Sequence, residues 1–487
     1  MTALVPQEKL RANSIGLSQA LFQALTHMGP AAGVASSLLV AVSFAGAATP
    51  LAVLLALVVT LLIAVAVGAF AKNVSTAGGL ADYVTAGLGP RPGYFVGWLY
   101  APLELFIAPV VIMFFGNFLS GTVEASTGVW VPWWIFSIVA AAFVCFVNVR
   151  DVRTSTNTGL ILGAAELSIF LVFSIYVIFH NFSSNTIQVL NPAHALTPGL
   201  SGLFKGVVFS ILAFQGFETA APLAEETRDP RRTIPRSIIY SALGCGIFYF
   251  VCTYAGVIGW GFNNMAAFST NGSPWIVLAQ KFWGLGWILI LFALINSFLG
   301  NANAGSTAAS RILFSFGRSG VLPEFFAKTH SVHHTPTIAI YFQTAFSVVV
   351  ALGLGLQFGP VVGFTLLGAI ITVYAILIYM FTCAACVRYF VTKRRDALNW
   401  WKHVVCPVLA ILLLIAPLYY QFVPWPTYPG NWGDAASIAV VVLALVATVF
   451  GFSAAARRQR DSQTPLDIVA ADLPDDREGQ TIGASSR

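Results

Sequence analysis

Apolar runs long enough to cross a bilayer as helices, roughly 20 residues each, recur from near the start of this 487-residue chain almost to its end. With 57% hydrophobic residues and only 9% charged, no single water-soluble core can bury so much apolar surface, and the excess must face lipid. We therefore read an all-α polytopic membrane protein of about twelve transmembrane helices. The expected spans are 18–43, 50–71, 93–119, 130–149, 157–180, 201–225, 236–261, 276–316 with an irregular outer start, 337–357, 361–390, 402–424 and 434–453. Clusters such as Ala47-Ala48-Thr49-Pro50, Gly89-Pro90-Arg91-Pro92 and Pro424-Trp425-Pro426 punctuate them. The first run shows no small-residue cleavage site with a soluble domain behind it, so it is read as a retained span. The implied plan is a cytoplasmic segment at 1–17, a ten-span core at 18–390, spans 11 and 12 within 391–456, and a cytoplasmic tail at 457–487.

Charge placement gives the spans a direction. With both termini in the cytoplasm, all but two of the 25 lysines and arginines fall in inner loops or at inner helix ends, leaving Lys205 and Lys281 towards the outside. The net charge of +6 then reflects topology and contact with anionic lipid, not binding of nucleic acid. The acidic, polar tail beyond Arg460 reads as disordered. The six cysteines all lie in apolar segments, where thiols act as small buried hydrophobes. Cys383 and Cys386 form C-x-x-C, but no second pair or nearby histidine completes a metal site, so none is expected.

Two spans are interrupted at matching places. Span 1 carries His27-Met28-Gly29-Pro30-Ala31-Ala32-Gly33, and span 6 carries Phe214-Gln215-Gly216-Phe217-Glu218. Proline removes a backbone donor and glycine tolerates non-helical dihedrals, so both helices should break. The interruptions lie five spans apart and so cross the membrane in opposite directions, as inverted repeats of spans 1–5 and 6–10 would place them. Irregular backbone at membrane depth is tolerated where it lines an enclosed or watered cavity. Amides at the span-1 break would suit a carboxylate, and carbonyls near Phe214 to Gly216 an ammonium. Close helix packing is the competing explanation of Gly29-x-x-x-Gly33.

The stretch from Phe214 to Glu218, followed by Leu223-Ala224-Glu225-Glu226-Thr227-Arg228-Asp229-Pro230 and Ile234-Pro235-Arg236, resembles the sixth-span signature of the amino acid-polyamine-organocation permeases. Gly78-Gly79-Leu80-Ala81-Asp82-Tyr83-Val84, Gly97-Trp98, Ser310-Arg311, Gly317-Arg318-Ser319-Gly320-Val321-Leu322-Pro323 and Thr335-Pro336 are similar to further family segments, in the family's order. The resemblance covers nearly the whole chain up to span 10. It implies a five-plus-five inverted repeat with two extra helices, the fold shared with the sodium-coupled neurotransmitter transporters. It also implies alternating access, amino acids or amines as substrates, and a bacterial inner membrane. One departure stands in span 1, where family members often carry a glycine-serine-glycine type stretch and this chain has Pro30-Ala31-Ala32-Gly33, lacking the serine hydroxyl.

Ionisable residues within spans cost about 2.5–3.5 kcal/mol at a helix centre, so each needs a reason. Glu104, Glu166 and Glu218 have no basic residue in their own span interiors. Glu166 looks aligned with a position where several proton-coupled family members carry lysine, near a cation site between spans 1, 5 and 8 in sodium-dependent relatives of the fold. It reads either as a proton carrier or amine partner, or as a structural carboxyl bonded to the bent span 1. Glu218 matches the family glutamate after the span-6 break, with gating or proton sensing set against a capping role. Glu104 is a candidate to attract a cationic amine, or a carboxyl packed between helices. His27 is a candidate member of a proton path, or a packing residue. Phe214 and Phe217 would close over a substrate, and Asn296, Ser297, Asn301, Asn303 and Ser306 would face spans 1 and 5 or bond between helices. Charges at Glu225, Glu226, Arg228, Asp229, Arg231 and Arg232 read as a solvated loop or as inner-gate salt bridges.

These features point to a secondary carrier importing an amino acid or small amine with protons, with an exchanger without net proton flow as the nearest variant and a substrate sensor further off. Substrate and lipid are the expected partners, and the transmembrane proton gradient the energy source. No selectivity-filter repeat argues for a channel, and no catalytic dyad or H-E-x-x-H for an enzyme.

Overall fold

The computed structural model describes residues 16–74, 78–150, 156–224, 227–318, 322–330 and 335–422, with Val442, Leu443, Val446, Val449, Phe450 and Ser453. Eleven of the twelve expected spans fall within these residues; most of 434–453, and the tail, lie outside them.

Span 1 is built from three pieces: α1 (Leu17–Met28), α2 (Pro30–Ala35) and α3 (Ser37–Ala45). Gly46, at φ +54, turns the chain between α3 and α4 (Thr49–Asn73), which returns as span 2. A short helix α5 (Leu80–Leu88), framed by Gly79 and Gly89 with positive φ, leads into α6 (Pro90–Thr127), the third span. It runs eight residues past the expected end at 119. Spans 4 and 5 are α7 (Trp133–Val149) and α8 (Thr156–His180).

The second half repeats the plan with one difference. Its first span begins as α9 (Leu200–Phe214), but the expected helix to residue 225 does not resume after the break: Gln215 to Ala224 form turns with one 3-10 segment, Ala221–Leu223. α10 (Pro230–Trp260) is span 7. The irregular outer start expected for span 8 is a pair of separate helices, α11 (Met265–Thr270) and α12 (Pro274–Trp283), before α13 (Trp287–Arg318) crosses. Spans 9 and 10 are α14 (Thr337–Phe358) and α15 (Pro360–Thr392). A π-helical turn at Trp401–Val405 opens span 11, α16 (Cys406–Gln421).

Among the described residues, eight stretches are long and apolar enough to cross a membrane, one of them Ser37–Asn73 joining α3 and α4, and α7 and α9 are shorter apolar helices. Large side chains stay exposed along outer faces, as Val139, Phe143 and Phe146 do on α7 and Leu409, Leu412 and Leu413 do on α16, which in water would be an aggregating surface. Four of the five spans of the first half touch their counterparts five spans on: α3 meets α9, α4 meets α10, α6 meets α13 and α7 meets α14. That pairing fits two inverted repeats around one in-plane axis, with the counterparts nearest the axis in contact. The two interrupted spans lie at its centre.

Candidate functional site

α1 stops at Gly29, whose φ of +53 is free only to glycine and whose amide closes on the Leu25 carbonyl at 2.9 Å. A Cβ there would meet Asn301 Cβ at 2.8 Å. Breaking the helix frees the His27 carbonyl, and Asn301 Nδ2 on α13 donates to it at 2.6 Å. α2 restarts on Pro30, which has no N–H to leave unpaired. Of the amides that follow, Ala31 faces the Glu166 carboxyl. Ala32 donates to Ser297 Oγ at 3.0 Å, and Gly33 to the Gly29 carbonyl at 2.7 Å. Every amide from Gly29 to Gly33 is thus bonded within the protein or turned to the Glu166 carboxyl, or absent in the case of proline. The open amide cradle expected from the sequence is filled, by carbonyls of span 1 itself at Gly29 and Gly33 and by α8 and α13 at Ala31 and Ala32. The serine hydroxyl missing from the span-1 stretch is supplied from α13.

The second break is held differently. α9 ends at Phe214, and Gly216 takes φ +109, with its amide donating to Glu218 Oε2 at 3.2 Å. Thr219 Oγ1 donates to the Gly216 carbonyl at 2.7 Å. The Ala213 carbonyl freed at the helix end accepts from Tyr249 Oη on α10 at 2.8 Å. The two breaks touch: a Cβ on Gly216 would stand 2.5 Å from His27 Cδ2, and one on Gly33 would stand 2.9 Å from Tyr249 Oη. Glycine at these positions permits the close approach.

Three carboxyls surround this junction. Glu104 on α6 is fully buried, with Oε2 3.5 Å from His27 Nε2 and the Gln215 amide alongside, yet neither of its oxygens has a well-formed hydrogen bond. Glu218 is better served: Tyr379 Oη donates to Oε1 at 3.0 Å and Tyr100 Oη lies 3.5 Å from it. Glu166 takes Asn296 Nδ2 at 2.6 Å, with Ser297 also against its carboxyl. Phe214 packs edge-on to Tyr249 and Phe217 lies against Tyr379, centroids 5.2 and 5.6 Å apart. His27, Glu104, Glu166, Phe214, Gln215, Phe217 and Glu218 are all at most 4% exposed, so the junction is shut from both sides.

The residues expected from the sequence therefore converge, in two groups. His27, Glu104, Gln215 and Glu218 gather where the breaks meet, while Glu166 stands behind α2 with α13. Asn296, Ser297 and Asn301 face spans 1 and 5; Asn303 instead bonds Asn148 of α7 at 2.9 Å. Glu225 and Glu226 lie outside the described residues, and the neighbouring Asp229–Arg232 pair, 3.6 Å apart, is well exposed. Cys383 and Cys386 are buried free thiols. Sequence reasoning missed Tyr249 and Tyr379. The available signal was a phenol deep in an apolar span, whose hydroxyl must find a partner.

Comparison with known proteins agrees with this architecture. The family model described as amino acid permease matches residues 19–464. Among curated proteins, the low-affinity putrescine importer PlaP of Escherichia coli K12 is 26% identical over 331 residues, covering 65% of this chain and 71% of the importer. The branched-chain amino acid permease BcaP of Lactococcus lactis is 25% identical over 426 residues, or 81% and 86% of the two chains. The D-serine/D-alanine/glycine transporter of E. coli K12 is 27% identical over 364 residues, or 70% and 73%. These relatives are transporters, not enzymes. With a match over nearly its full length and two interrupted spans meeting at its centre, this chain belongs to the amino acid permease family of twelve-span, inverted-repeat membrane transporters.

Proposed function

We propose that the chain is a secondary carrier that imports an amino acid or related small amine by alternating access, coupled to protons. The observation that carries this reading is the meeting of the two helix breaks around buried carboxyls, a small polar enclosure in an otherwise apolar bundle. The named substrates of the relatives, a diamine in one case and amino acids in the others, share an amine and little else.

Glu166 ties α2 to α8 and α13 through Ala31 and Asn296. Adding a proton to it removes the negative charge from those donors and loosens the tie, so proton binding and the position of span 1 are linked. His27 and Glu104, at 3.5 Å, pass between a charged and a neutral pair by moving one proton from imidazole to carboxyl, and Glu218 sits between tyrosines that answer its charge. No cofactor is needed beyond the proton gradient. The cellular setting that fits is a bacterial inner membrane with both termini in the cytoplasm.

The test is uptake of labelled amino acids and amines into proteoliposomes, with and without an inward proton gradient. Gradient-driven accumulation that Glu166→Gln uncouples is the expected result. Uptake that requires internal counter-substrate and ignores the gradient would make the protein an exchanger. No flux of any amine would remove the carrier reading.

A further inference from the structure

We propose that the transported amine carries no carboxylate, and that Glu104 receives its ammonium group. The inference rests on the carrier reading above and follows from the balance of donors and acceptors at the junction.

A substrate carboxylate needs donors, and in an interrupted helix those are backbone amides. At the first break they are consumed: Ala31 by Glu166, Ala32 by Ser297, Gly29 and Gly33 by carbonyls of their own segment. At the second, Gln215 donates to the Leu212 carbonyl, Gly216 to Glu218 and Phe217 to the Phe214 carbonyl. The protein has put its own carboxyls where an incoming one would bind. No ion pair among the described residues places a lysine or arginine on Glu104, Glu166 or Glu218. A substrate carboxylate would therefore enter beside Glu104 and Glu218, with Glu166 behind α2 and no lysine or arginine to answer it, which opposes binding.

The unspent valences run the other way. Both oxygens of Glu104 lack a hydrogen-bond partner although the side chain is fully buried, a costly state that a native structure keeps for a reason. The unpartnered side-chain nitrogens beside it, His27 Nε2 and Gln215 Nε2, lie against the Glu104 carboxyl itself. An ammonium brings three donors and a positive charge to those oxygens. The Phe217 and Tyr379 rings, packed together by the Glu218 carboxyl, add aromatic surface of the kind that attracts a cation. An amine with an apolar or second-amine tail matches this inventory; an α-amino acid does not.

The experiment compares parent acids with their decarboxylated amines on the purified full chain in proteoliposomes. Valine is set against isobutylamine, tyrosine against tyramine, and ornithine against 1,4-diaminobutane, with uptake and cross-competition measured for each. In the pair that is transported, the amine should compete about tenfold or more below the concentration its parent requires, because it keeps the charge-assisted hydrogen bond to Glu104 and brings no carboxylate to be repelled. Glu104→Gln should raise that concentration about tenfold while the thermal midpoint in detergent stays within error. Parents competing as well as their amines would overturn the inference and leave the carrier standing, whereas no uptake of any compound would overturn the carrier itself. Retained wild-type amine affinity in a folded Glu104→Gln protein would remove Glu104 from the assignment.

Discussion

The two helix breaks solve one problem in opposite ways. At Gly29 the chain departs from the helix for a single residue, resumes in α2, and has its loose ends tied by side chains from elsewhere: Asn301 and Ser297 from α13 and Glu166 from α8. At Gly216 the helix does not resume, and the turn is tied largely by itself, Glu218 to the Gly216 amide and Thr219 to its carbonyl. A break braced from other helices is coupled to their positions. A self-capped turn keeps its shape when neighbours move. The first break is thus the one suited to transmit a change at Glu166, and the second the one suited to present Gln215 and Phe217 from a fixed platform.

The largest effect should come from removing the glycine that brings the breaks together. Gly216→Ala places a Cβ 2.5 Å from His27 Cδ2 on a backbone at φ +109. Steric strain and overpacking together should cost roughly 2–6 kcal/mol, read as a lower thermal midpoint in detergent and lost uptake. Gly29→Ala, in the milder left-handed region but against Asn301, should cost less, about 1–3 kcal/mol. Equal losses would mean that the junction is looser than the close approach at Gly216 implies.

The bracing itself is tested next. Ser297→Ala leaves the Ala32 amide buried without an acceptor, at a cost of about 1–3 kcal/mol. Thr219→Val removes one of two donors to the Gly216 carbonyl, since the Thr219 amide also reaches it at 3.0 Å, and should cost about 0.5–1 kcal/mol. Hydrogen exchange should show Ser297→Ala loosening α1 and α2 together, and Thr219→Val acting only locally. A local effect from both would erase the distinction between the breaks.

Much of this was legible in the chain because its signals are local. Gly29-Pro30 and Gly216 announce broken helices by residue type, and Ser297 and Asn301 stand out as polar residues on a membrane helix. What escaped depends on partners far along the chain. Tyr379 reads as one more aromatic in span 10 until Glu218 is seen 3.0 Å from its hydroxyl. The filling of the α2 amides by Glu166 and Ser297 involves three spans at once, and no single stretch records it. α5 escaped for another reason: nine residues between two glycines are too short for a span-length search, although those glycines, at φ +59 and +103, mark its ends. The failure of the helix to resume after Phe214 is likewise tertiary, since Gln215 to Ala224 hold a single proline, Pro222.

Smaller effects sharpen the picture from either side of the breaks. Tyr379→Phe removes the shorter phenol contact to Glu218 and leaves Tyr100 at 3.5 Å, so stability should fall by about 1 kcal/mol. Its clearer mark should be a displaced pH profile of uptake, since the lost donor favours the ionised carboxyl. An unmoved profile would take Glu218 out of the proton pathway. The smallest effect belongs to an ion pair outside the membrane. Asp396 lies beyond the end of α15, and its hydrogen bond to Arg394, 3.1 Å away, holds its carboxyl below the usual range. A carboxyl shifted in that direction stabilises the fold above its unfolded value of about 4 and loses the contribution as pH falls through the lowered folded value. Exposure and solvent screening leave little to lose, so Asp396→Asn should match the wild-type thermal midpoint at neutral pH and in acid alike. A midpoint drop as large as that of Ser297→Ala would show that stability is not concentrated at the braced break, and the contrast between buried and surface ties would fail with it.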